Sequence, residues 1–213
     1  MYYILRFFVS IYMRLKWHAV VFGKENIPKH PHKGGFIIAA NHQSYTDPPL
    51  IAAFVNGKFS FIAKAELFKK KMFALLIRYC GAYPVERGAG DTGALDRAVS
   101  DLKKGRIFVI FPEGTRSKDG SIAKAKSGIA LIAGMANVPV LPCCIVYKDN
   151  RAYVSFGKII PAEAIAVKAT ERTEIRRVCA LITDSLRQLQ SEMLVETKIV
   201  LPYMIESKDE TEV

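Results

Sequence analysis

The chain has 213 residues, is 50% hydrophobic and 24% charged, and carries 31 Lys and Arg against 20 Asp and Glu, a formal net charge of +11. That length supports one sizeable core, and the composition excludes a disordered chain. The charge calls for an anionic partner. Its basic clusters are short (Lys69-Lys70-Lys71, Lys103-Lys104) and come with no zinc-finger spacing, RNA-binding aromatic signature or helix-turn-helix, which argues against nucleic acid and for anionic lipid or a phosphorylated substrate.

Met1 to Lys24 holds Arg6, Arg14, Lys16 and Lys24 and no acid. It has no uninterrupted apolar stretch near the ~20 residues that span a bilayer, and Arg6 and Arg14 break any signal-peptide core. On a helix, Arg6, Ser10 and Arg14 form one narrow polar stripe at i, i+4 and i+8. Residues such as Ile4, Phe7, Phe8, Ile11 and Leu15 cover most of the remainder. That pattern predicts an amphipathic helix lying in the interface of an anionic membrane.

Beyond it, short apolar runs alternate with helical patterns, the mark of an α/β fold with a mostly parallel central sheet flanked by helices. Strands are predicted at Gly35–Ala40, Phe59–Ala63, Ala82–Val85, Ile107–Phe111, Val138–Ile145 and Tyr153–Phe156. Helices are predicted to begin near Pro48, Glu66, Thr92, Ser127 and Thr173. The helix from Asp91 to Lys104 turns Leu95, Val99 and Leu102 to one face and stops at Gly105. Lys69-Lys70-Lys71 abuts Met72-Phe73-Ala74-Leu75-Leu76-Ile77, which is either a second membrane contact or a core helix with a basic edge. The domain organisation is a membrane helix (1–24), one domain (25–205) and a polar, mostly acidic tail (206–213). Adjacent Cys143 and Cys144 in an apolar strand point to opposite faces, which suits reduced, buried thiols rather than a disulfide or metal site.

The chemistry concentrates at strand ends, where open α/β sheets bind ligands. Phe36-Ile37-Ile38-Ala39-Ala40 runs into Asn41-His42-Gln43-Ser44-Tyr45-Thr46-Asp47-Pro48-Pro49. In a continuous helix, five residues are ~500° of rotation and would leave His42 and Asp47 ~140° apart. They meet only if the chain turns between them. Asp47 is expected as a helix N-cap with Pro48 at the first helical position. A histidine paired with a carboxylate takes a proton near neutral pH.

Three further segments follow strands. Gly81-Ala82-Tyr83-Pro84-Val85-Glu86-Arg87 offers a guanidinium suited to phosphate. Phe111-Pro112-Glu113-Gly114-Thr115-Arg116-Ser117 places a carboxylate, a turn glycine, a hydroxyl and a guanidinium in succession. Val138-Pro139-Val140-Leu141-Pro142 is a proline-framed strand whose message is structural. There is no phosphate-binding glycine loop, no dinucleotide fingerprint and no nucleophile elbow. His30 and His32, among prolines and lysines, read as a solvated loop.

Taken together, the segments closely resemble the 1-acyl-sn-glycerol-3-phosphate (lysophosphatidate) acyltransferase family, in its bacterial form. Its NHxxxxD motif is matched by Asn41, His42 and Asp47. A glycine-to-arginine motif is matched by Gly81 through Arg87, with Glu86 where Asp is more usual. Its FPEGTRS is matched by Phe111 through Ser117, and its VPxxP by Val138, Pro139 and Pro142. The resemblance implies transfer of an acyl group from acyl-CoA or acyl-carrier-protein to the free hydroxyl of lysophosphatidate at the cytoplasmic face of the membrane, with no cofactor and no metal. It implies His42 as general base, Asp47 as its orienting partner and Lys64 as oxyanion donor. Arg87 and Arg116 would bind phosphate, with Glu113, Gly114 and Thr115 shaping that site. Competing readings are another acceptor (glycerol-3-phosphate or another lysolipid), a thioesterase-like hydrolase, and a non-enzymatic basic membrane-binding module.

Overall fold

The structure, a computed structural model, describes residues 2–29, 35–85, 92–166 and 171–204. The expected polar tail therefore lies outside the described residues. Seven strands form one sheet: β1 (Val20–Phe22), β2 (Phe36–Ala40), β3 (Phe59–Lys64), β4 (Ala82–Val85), β5 (Ile107–Ile110), β6 (Val140–Lys148) and β7 (Arg151–Phe156). Their order is β1-β7-β6-β2-β5-β3-β4. Every pairing is parallel except β6 with β7. Asp149 and Asn150 join those two with φ of 49° and 59°. Two positive φ values in a two-residue loop are the twist-matched hairpin turn that Asn and Asp tolerate.

The helices are α1 (Tyr2–Trp17), α2 (Asp47–Ala52), α3 (Lys71–Tyr79), α4 (Thr92–Lys103), α5 (Ser127–Ala136) and α6 (Arg172–Thr197). The crossovers β2-α2-β3 and β3-α3-β4 step one way along the sheet, and β4-α4-β5 and β5-α5-β6 step back. Right-handed crossovers therefore put α2 and α3 on one face and α4 and α5 on the other. The core divides accordingly. Ile37, Phe108, Val140 and Cys144 pack toward α4, α5 and α6. Ile38, Val109, Leu141 and Cys143 pack on the other side, with Met13 of α1 and Leu50 and Ile51 of α2. The adjacent cysteines do face opposite ways, and both are buried.

Three elements differ from the sequence-based expectation. Val20–Phe22 is a short edge strand beside β7 that no periodicity revealed. The helix expected from Glu66 begins as a 3-10 turn over Ala65–Phe68, and α3 proper starts at Lys71. The cationic stripe of α1 turns inward. Arg6 Nη2 donates to Val55 O at 2.7 Å, and Arg14 Nη2 donates to Ala53 O at 2.6 Å. The carbonyls at and just past the end of α2 lack intrahelical donors, and two guanidiniums supply them. With both arginines spent on the end of α2, α1 presents its apolar side outward: Ile4, Phe7, Phe8 and Leu15 are all about two-thirds exposed.

Candidate active site

β5, β2 and β6 lie side by side and parallel, so their carboxyl ends converge. Asn41, the first residue past β2, is buried and extends the ladder with its side chain. Its Nδ2 donates to Ile145 O at 2.9 Å, and its Oδ1 accepts from Ile145 N at 2.7 Å. This locks the exit of β2 onto β6 just before His42.

The chain then turns as required. Asp47 N donates to Ser44 O, and His42 Nδ1 stands 2.7 Å from Asp47 Oδ2. The same oxygen accepts the backbone N–H of Gln43 and of Ser44, each at 2.8 Å. Oδ1 accepts from Tyr147 Oη at 2.7 Å. Asp47 is fully buried. A buried carboxylate persists only when its oxygens are paired, and here both are. A carboxylate that only accepts fixes the histidine tautomer: Nδ1 carries the proton and Nε2 keeps its lone pair. The ring is held from one side by Phe111, stacked at 4.1 Å and 23°. The helix start sits one residue earlier than expected, with Thr46 at the N-cap, and no side chain caps it. Asp47 points back into the turn, where four donors outbid the cap.

The neighbouring strand end braces this turn. Glu113, buried, accepts His42 N with Oε1 and Ala123 N with Oε2, both at 2.9 Å. Burial pushes its carboxyl above the usual range, against the pull of the two N–H groups and of His42. Ser117 N donates to His42 O at 2.8 Å. Both backbone groups of His42 are thus held by the 111–117 segment. Gly114 turns that segment at φ 73°, and a Cβ there would meet Lys126 Nζ at 2.7 Å. Past the turn, Thr115 and Arg116 are exposed. The Arg116 guanidinium lies 3.8 Å over the Tyr45 ring and donates to Tyr45 Oη at 3.1 Å. Tyr45 belongs to the turn between His42 and Asp47, so this cation sits beside the dyad.

A family model described as Acyltransferase matches residues 18–146, more than half of the chain, including both turns just described. The chain belongs to the acyltransferase family. It is 32% identical over 178 residues to a 1-acyl-sn-glycerol-3-phosphate acyltransferase of Streptococcus pneumoniae, covering 78% of this chain and 65% of that one. It is 33% identical over 112 residues to a lyso-ornithine lipid O-acyltransferase of Pseudomonas aeruginosa, covering 52% of this chain and 43% of that one. Among solved structures it is similar to the 1-acyl-sn-glycerophosphate (LPA) acyltransferase PlsC of Thermotoga maritima, with a TM-score of 0.63 and 30% identity. That match covers 86% of this chain and 78% of that one. The chain spans 65% of the length of its first curated relatives.

Within this acyltransferase fold, the structure brings together His42, Asp47, Glu113, Gly114 and Arg116. Glu113 spends an oxygen on each of two backbone amides and makes no pair with Arg116. Lys64 ends β3 at the same edge of the sheet: Phe61 pairs Val109, which pairs Ile38, so three residues on Lys64 is level with Pro112 and Asn41. It is two strands from His42, ~10 Å across. Its side chain is half exposed, with Glu66 Oε2 at 3.9 Å. Arg87, Glu86, His30 and His32 lie outside the described residues. Two participants were absent from the sequence reading. Tyr147 reaches Asp47 only because β6 pairs with β2, 100 residues away in the chain. Tyr45 occupies a position where nothing in the sequence marks it as the platform for Arg116.

Proposed function

We propose that this chain moves a fatty acyl group from acyl-CoA or acyl-carrier-protein to the free hydroxyl of lysophosphatidate, giving phosphatidate, at the cytoplasmic surface of an anionic membrane. The observation that carries this reading is a His42 held as a base with Nε2 available, with the Arg116 guanidinium of the neighbouring turn stacked on Tyr45 beside it. His42 Nε2 takes the proton of the acceptor hydroxyl as that oxygen attacks the thioester carbonyl. The tetrahedral oxyanion, with Lys64 as its donor, collapses and expels the thiolate, which recovers the proton from His42. Asp47 holds the imidazole in the productive tautomer. Arg116, with Arg87, holds the acceptor phosphate, and Thr115 adds a hydroxyl beside it. Glu113 and Gly114 support the site by fixing the backbone that carries them.

The membrane part rests on exposed apolar surface. Besides α1, helix α3 exposes Met72 (82%), Leu75 and Leu76 next to Lys69-Lys70-Lys71, and both helices belong to the α2 side of the sheet. Among the described residues no helix is long and apolar enough to cross a membrane. An apolar face edged by cations suits the interface of an anionic bilayer.

A second acceptor, a lysolipid such as lyso-ornithine lipid, is favoured by the name of the Pseudomonas relative. The test supplies the purified protein with one acyl thioester and a panel of lysophosphatidate, glycerol-3-phosphate and lyso-ornithine lipid, and follows product mass. Preferred acylation of lysophosphatidate is expected. Transfer to another member of the panel alone reassigns the acceptor.

A further inference from the structure

Tyr147 is the residue at this site whose chemistry the acyl-transfer scheme does not use. It sits near the end of β6, its side chain on the same side of the sheet as Leu141, Cys143 and Ile145. Its hydroxyl donates to Asp47 Oδ1 at 2.7 Å, so its oxygen must accept from Thr46 Oγ1, 3.2 Å away. Thr46 in turn must accept from Ser44 Oγ at 2.9 Å. The three hydroxyls therefore run one way, Ser44 to Thr46 to Tyr147 to Asp47. Burial, and the charge of Asp47, push the phenol above its ordinary range, which keeps it a donor. The Tyr147 ring packs against Trp17, the last residue of α1, at 4.7 Å between centroids and 56° between planes. Trp17 Nε1 is buried without a hydrogen-bond partner among the described residues, so the indole is held here by ring packing.

We propose that Tyr147 is a positioning residue for the His42–Asp47 pair, and that Trp17 fixes the Tyr147 ring, so that the helix offered to the membrane is connected to the site. The path is continuous: Trp17 to Tyr147 by ring contact, Tyr147 to Asp47 and Asp47 to His42 by hydrogen bonds of 2.7 Å each. Without the phenol, Oδ1 is a buried lone acceptor, and the carboxylate gains freedom to swing away from Nδ1. A charge-assisted bond of this kind decides an orientation that the reaction needs to a few tenths of an ångström. The proposal rests on His42 acting as the base.

The test uses the full chain. Tyr147→Phe keeps the ring and its Trp17 contact and removes only the hydroxyl. It is expected to lower kcat about tenfold with KM for both substrates within about twofold. It should also move the low-field proton resonance of His42 Nδ1–H, a readout that needs no substrate. Trp17→Ala should lower kcat by a smaller factor, and Trp17→Phe should restore it. Should Tyr147→Phe melt below the assay temperature, Thr46→Val, which removes the donor to Tyr147, must lower kcat in the same direction. An unmoved resonance with kcat within twofold in Tyr147→Phe, or a kcat untouched by Thr46→Val, overturns the proposal. So does a pair of variants, Tyr147→Phe and Trp17→Ala, that lowers only the melting temperature. A His42→Ala protein that keeps its activity would instead remove the acyl-transfer reading beneath it, with the resonance still reporting whether Tyr147 positions His42.

Discussion

The turns after β2 and β5 meet edge to edge and do opposite work. In the first, residues 41–47, the functional polar atoms are used up internally. Asn41 is tied to β6, and Asp47 takes four donors, which leaves the His42 Nε2 lone pair available. In the second, residues 111–117, the base of the turn is rigid and its tip is open. Glu113 is clamped to two amides, whereas Thr115 and Arg116 are exposed. A proton-transfer group needs exact placement and a fixed tautomer, which burial and saturation provide. A group that grips a mobile lipid headgroup needs to reach it. One turn is therefore expected to control turnover and the tip of the other to control binding.

Substitutions separate the two. The largest effect falls on Asp47→Asn, which offers an amide where four donors converge and loses the tautomer: kcat should drop ~10²–10⁴-fold with little change in KM. Glu113→Ala comes next. It removes the acceptor of the His42 and Ala123 N–H groups, which should cost about 1–3 kcal/mol in denaturant unfolding and lower kcat by loosening His42. Arg116→Ala should raise KM for lysophosphatidate ~10-fold while kcat stays within about twofold, since an exposed guanidinium contributes through its anion. A fall in kcat as large as that of Asp47→Asn would erase the contrast between the turns. The smallest effect belongs to Asp119, just past the tip. The hydroxyls of Ser121 and Ser117 and the Ser121 N–H hold its carboxyl down to about 2, against an ordinary 3.8. A carboxyl depressed by folding stabilises the fold above the ordinary value, and that stability is lost as pH falls through about 2. Asp119→Asn should therefore flatten the acid limb of a stability-against-pH curve below about pH 4 and leave neutral activity unchanged.

Much of this was legible in the sequence, for local reasons. The six longer strands are continuous or alternating apolar runs, and α4, α5 and α6 start within a residue or so of their expected places. The turn that joins His42 to Asp47 follows from the geometry of a five-residue separation. The remainder was out of reach because it is made by distant pairing. A three-residue strand such as β1 has no period to detect. Tyr147 looks like any aromatic near a strand end until β6 is placed beside β2. Arg6 and Arg14 read as a stripe on a helix, and only the docking of α1 on the end of α2 shows that the stripe faces inward. Asp47 was expected to cap α2, and the donors of Gln43, Ser44, His42 and Tyr147 claimed it instead.

The central claim is that His42 is the base for a lipid hydroxyl. It is tested most directly by the initial rate of phosphatidate formation, read by mass, from lysophosphatidate and an acyl thioester with wild type and His42→Ala. Sedimentation of the same samples with anionic vesicles provides the control. The account predicts a ~10²–10⁴-fold lower rate in His42→Ala with vesicle binding retained. A vesicle-bound His42→Ala protein that makes phosphatidate within a few-fold of wild type would contradict it.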